Sequence, residues 1–65
     1  MLFKQRILEF RAKYDFTQSQ LADLFGVTQT TVFKYEAGIN KPTSAHLIKF
    51  EKKMKEWEEN KNENV

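Results

Sequence analysis

Gln29, Thr30, Thr31, Phe33 and Lys34 fall within six consecutive positions, and their side chains suit recognition by hydrogen bonds more than bond breaking. A Gln amide can pair bidentately with N6 and N7 of adenine. A Thr can hydrogen-bond or touch a thymine methyl, and a Lys can donate to guanine or to a phosphate. Phe33 is unexpected in such a set. Packing on a thymine methyl or sugar edge and folding back against the preceding helix are both open to it. Gln18 opens a predicted helix, where free backbone N–H groups and the helix dipole favour a phosphate; the alternative is a solvated first-turn residue. Catalytic chemistry is poorly supplied. Ser19 and Ser44 are the only serines, and Ser44 with His46 lacks an oriented third member, so a cap and a surface position are the simpler reading. With no cysteine and a single histidine, neither a disulfide nor a zinc site is expected. No cofactor and no enzymatic activity are expected.

The elements that position these residues are legible from apolar spacing and caps. Leu2, Phe3, Ile7, Phe10 and Tyr14 recur at helical steps, predicting a first helix over about 2–13 that ends near Asp15. Thr17 and Gln20 form a capping box, and Phe16 with Leu21 a hydrophobic staple. A second helix then runs from Gln18 to about Phe25, burying Leu21, Ala22, and Leu24 or Phe25, and Gly26 stops it. Thr28 caps a third helix over Gln29 to about Ala37, stapled by Val27 and Val32 and ended by Gly38. After the loop Ile39–Pro42, Thr43 or Ser44 caps a fourth helix reaching about Glu59, about sixteen residues and roughly 24 Å long. Residues 60–65 read as a polar, disordered tail beyond a single domain over 1–59.

Two helices joined by a three-to-four-residue, glycine-containing turn make a helix-turn-helix. Counting Gln18 as the first of twenty positions, the fifth must be small and is Ala22, and the ninth must turn and is Gly26. The fourth, eighth, tenth, fifteenth and eighteenth must face a shared core, and they are Leu21, Phe25, Val27, Val32 and Tyr35. With Val32 and Tyr35 turned inward, Gln29, Thr30, Thr31, Phe33 and Lys34 occupy the free face.

The run Gln18-Ser19-Gln20-Leu21-Ala22-Asp23-Leu24-Phe25-Gly26-Val27-Thr28-Gln29-Thr30-Thr31-Val32 resembles the Cro/repressor (Xre-like, lambda-repressor-like) helix-turn-helix family. The similarity extends through Tyr35-Glu36-Ala37-Gly38 and Lys41-Pro42-Thr43 and back to Arg11 and Phe16, covering roughly residues 5–48. It implies an all-α, lambda-repressor-like DNA-binding domain of four, or four to five, helices in a bacterial or phage transcriptional regulator, expected to be a repressor. By that resemblance Gln29, Thr30 and Lys34 read bases. Gln18 holds a backbone phosphate and buttresses Gln29, Thr17 adds its N–H or hydroxyl, and Asn40 and Lys41 form a second phosphate clamp. Arg11 and Glu36 form a partly buried structural ion pair rather than a DNA contact.

The chain departs from its apparent relatives after Leu47. No break introduces a fifth helix; the fourth continues instead, with Leu47, Phe50, Met54 and Trp57 spaced by three, four and three. Such a stripe is either a coiled-coil-like seam or an internal cover for Leu2, Phe3 and Ile7. Leu47 and Phe50 read as internal, while Met54 and Trp57 are left between core and dimer contact. A homodimer, at least on DNA, is expected because one recognition helix reads too few base pairs to find its site. Two copies one turn apart imply a palindromic operator.

Charge agrees with a polyanionic partner: residues 1–57 carry net +4 and residues 58–65 net −2, giving the formal +2. No apolar run suits a signal peptide or membrane span, and without cysteine the expected location is cytoplasmic. A membrane-surface role fails on the mixed charges of the fourth helix. No small-molecule ligand is expected. The competing reading is a small antitoxin or a phage-type antirepressor that also binds a protein partner, through Met54–Val65.

Overall fold

The computed structural model describes residues 2–63, with side chains through residue 60. Four helices follow in order: α1 (Phe3–Tyr14), α2 (Gln18–Phe25), α3 (Gln29–Glu36) and α4 (Ser44–Glu63). There is no strand among the described residues, and the architecture is all-α.

Local signals account for the boundaries. Asp15 ends α1 in the left-handed region at φ 59°, one of the few non-glycine residue types that tolerates it. The Thr17 hydroxyl accepts from the Gln20 N–H at 3.0 Å while the Gln20 amide oxygen accepts from the Thr17 N–H at 2.9 Å, a complete capping box. Gly26 closes α2 at φ 74°. Thr28 caps α3. The last full turn of α3 ends at Glu36, with Ala37 as the capping residue and Gly38 in the left-handed region at φ 75°.

α4 is longer than its sequence suggests: 20 residues, continuing past Glu59 to Glu63. The expected tail over 60–65 is therefore helical as far as Glu63, and residues 64 and 65 lie outside the described residues. Mixed charges and Asn are no obstacle to a helix that is already nucleated, because each further residue adds a hydrogen bond without a new nucleation cost.

The core joins all four helices through Ile7, Phe10, Leu21, Ala22, Phe25, Val32, Tyr35, Phe50 and Met54. The aromatic residues divide into two groups. Phe25 and Phe50 stack at 4.3 Å, with Phe3 and Tyr35 packed around them. Trp57 meets Phe10, Tyr14 and Phe16 at 5.9, 4.7 and 5.0 Å, all edge-on. Met54 is 0% exposed and Trp57 half-buried. The stripe on α4 thus packs inward: Met54, placed on a surface seam by the dimer alternative, has no face left for a partner. Leu47 is more open than its internal reading implied, at 37% exposure.

A polar clasp fixes the same α1–α4 contact. Arg6 donates to Glu58 at 3.0 Å and lies 3.5 Å from Glu51, and the Tyr14 hydroxyl donates to the second Glu58 oxygen at 3.1 Å. The residues involved are 52, 45 and 44 positions apart in sequence, beyond the reach of any periodicity argument.

Candidate nucleic-acid interface

α3 has two faces. Val32 and Tyr35 are buried, and Gln29, Thr30, Phe33 and Lys34 are exposed. Phe33 does not fold back: it is 52% exposed and lies outside the core cluster. Its ring is held in water beside Gln29, Thr30 and Lys34 on the exposed side of α3.

Thr31, expected among the base-reading side chains, is half-buried, and its hydroxyl bonds to that of Thr28 at 2.9 Å. Its N–H also donates to the Thr28 hydroxyl, at 3.2 Å. Three residues beyond a cap, a side chain sits directly over it, so Thr31 completes the start of α3 instead of facing outward.

The N-terminus of α2 reaches the end of α3 through Gln18 and Glu36. Gln20 occupies the Thr17 N–H within the capping box, which corrects the expectation that this N–H is free for a phosphate. The Thr17 hydroxyl keeps its proton as a donor, because there its oxygen only accepts. Ahead of the first intrahelical bond, the Gln18 and Ser19 N–H groups have no partner in the helix. The Gln18 amide donates to Glu36 at 2.9 Å. No bond to Gln29 forms among the described residues, so the expected buttress runs instead to the end of α3.

Glu36 is the hub of this arrangement. Arg11 approaches both its oxygens at 2.7 Å through the single nitrogen Nη1, while Arg11 Nε donates to the Phe16 carbonyl at 2.9 Å. The pair is therefore a bifurcated contact from one nitrogen, and the other side of the guanidinium fixes the turn before α2. Only 8% of the Glu36 side chain is exposed, against 25% for Arg11. One carboxylate thus ties α1, the α1–α2 turn, α2 and α3 together.

The α3–α4 loop carries the other polar group. The Lys34 carbonyl accepts from the N–H groups of both Ile39 and Asn40, at 2.9 and 3.3 Å, holding the loop against the end of α3. The side chains of Asn40 and Lys41 project from it, exposed and without a hydrogen bond or ion pair among the described residues.

There is no cluster of three His, Cys, Asp or Glu able to hold a metal among the described residues. No helix among them is long and apolar enough to cross a membrane.

A short helix crossed closely by a second one, with a polar exposed face on the second, defines a helix-turn-helix DNA-binding domain. The helix-turn-helix family model matches residues 7–56, and the chain belongs to that family, in its Cro/C1-type branch. The family is one of double-stranded-DNA-binding domains. The chain is also similar to the cryptic phage CTXphi transcriptional repressor RstR of Vibrio cholerae serotype O1. The two are 39% identical over 49 residues, covering 75% of this chain and 44% of the relative. The chain therefore spans less than half the length of that relative. No solved structure matches.

Proposed function

We propose that the chain is the DNA-reading part of a transcriptional repressor, acting as a homodimer on a palindromic operator. α3 enters the major groove with Gln29, Thr30, Phe33 and Lys34. The backbone on one side is held by the Thr17 hydroxyl and the start of α2 at Gln18, and on the other by Asn40 and Lys41. The observation that carries this reading is the division of α3, in which Val32 and Tyr35 anchor it while every exposed side chain between Gln29 and Lys34 can address a base edge. The repressor role draws on the name of the Vibrio cholerae relative.

Base readers and phosphate binders answer differently to substitution. Gln29→Ala is expected to relax preference at one base pair by about 1–3 kcal/mol, whereas Lys41→Ala weakens all duplexes about equally. Fluorescence anisotropy with a selected duplex and single-base variants measures both. An unaltered base preference in Gln29→Ala would contradict the assignment.

A further inference from the structure

A groove of about 360 Å³ opens between the start of α1, the end of α3 and the α3–α4 loop. Its polar lining is Lys4, Tyr35, Asn40 and Lys41, and its apolar walls include Phe3 and Leu47. No carboxylate lines it. Lys4 is brought here from α1: its Nζ lies 3.8 Å, and its Cδ 3.7 Å, from where a Cβ on Gly38 would be. Neither Lys4 nor Lys41 takes part in an ion pair among the described residues.

Tyr35 offers a hydroxyl at the edge of this groove. Its residue is only 7% exposed, yet its hydroxyl has no hydrogen-bond partner among the described residues. No side-chain polar atom there is both fully sealed from solvent and unsatisfied, so this hydroxyl opens outward. An accessible hydroxyl can donate to water or to an incoming acceptor, and this one opens onto a groove with two ammonium groups and no acid. Clefts lined by charge of one sign with apolar walls concentrate the field, which favours an anion.

We propose that Lys4 and the Tyr35 hydroxyl join Asn40 and Lys41 in one site for a phosphodiester of the DNA backbone. The site rests on the DNA-binding reading above and deepens it. Helix α1 then touches DNA directly and extends the contact past the loop. Lys4 adds a second charge to that of Lys41, and Tyr35 adds a neutral donor from the anchored face of α3.

The test is the salt dependence of duplex binding by the whole chain, with Lys4→Ala, Lys4→Arg, Tyr35→Phe and Lys41→Ala compared by anisotropy. Each charge removed from a phosphate contact lowers the slope of log K against log salt by about 0.9. Lys4→Ala is expected to lose that much, equally for all sequences, and Lys4→Arg to keep it. Tyr35→Phe keeps the ring and the slope but binds roughly three- to tenfold more weakly, as loss of one hydrogen bond predicts. Thermal melts of the same variants show whether folding is intact. Wild-type affinity and slope in both Lys4→Ala and Tyr35→Phe, with Lys41→Ala still losing its increment, would overturn the site and leave the DNA reading standing. Duplex binding by the wild-type chain that is absent or independent of salt would overturn the DNA reading, and the site with it.

Discussion

Glu36 shows how one side chain can tie three helices together. It accepts from Arg11 and Gln18, and through Arg11 it reaches the Phe16 carbonyl. Removing it leaves Arg11 uncompensated in a site only partly open to water. Losing one partner of a buried pair costs about 3–5 kcal/mol, and the quarter exposure of Arg11 places Glu36→Ala near about 3 kcal/mol. Urea denaturation checks this, and an unchanged midpoint would show that the pair contributes nothing. Glu36→Gln, which keeps the shape and an acceptor for Gln18, is expected to lose less. Thr31 gives the opposite lesson. Its type suits base reading, but its position over Thr28 commits the hydroxyl to the cap. Residue type alone cannot separate these roles, because a hydroxyl that caps a helix and one that reads a base have the same chemistry.

Among the elements, α2 and α3 were readable and α4 was less so. Capping boxes, staples and glycine stops act within a few residues, so Thr17, Gln20, Gly26, Thr28 and Gly38 mark their boundaries directly in the sequence. The inward stripe of α4 was visible too, but its partner was not. Whether Trp57 faces its own chain or another depends on Phe10, Tyr14 and Phe16, all more than forty residues away in sequence. The Arg6–Glu58–Tyr14 clasp and the approach of Lys4 to Gly38 are long-range in the same way. α4 braces the reading head from below, since Trp57 packs on Phe16, two residues before Gln18. Trp57→Ala is expected to cost about 3–5 kcal/mol, a large part of the stability of so small a domain. A loss below about 1 kcal/mol in urea denaturation, judged against that range, would show that α4 does not brace the α1–α2 turn.

At the scale of the whole chain, 65 residues without a cysteine rely heavily on packing, and the six Phe, two Tyr and one Trp supply much of it. With Met54 and Trp57 drawn into that packing, the apolar side chains most open to a second copy are Leu2, Ile39 and Ile48, at 62, 64 and 70% exposure. The proposed dimer rests on how few base pairs one helix can read, not on an evident seam. Sedimentation with a palindromic duplex at micromolar concentration is expected to show two protomers per duplex; a single protomer at saturation would rule the dimer out.

The central claim, that α3 reads duplex DNA as one of a symmetric pair, is tested most directly by selection from a random duplex pool followed by footprinting. The account predicts an enriched palindrome with two protected major-groove half-sites, their centres about one helical turn apart. A pool that yields no common sequence, or a footprint confined to a single unpaired site, would contradict it.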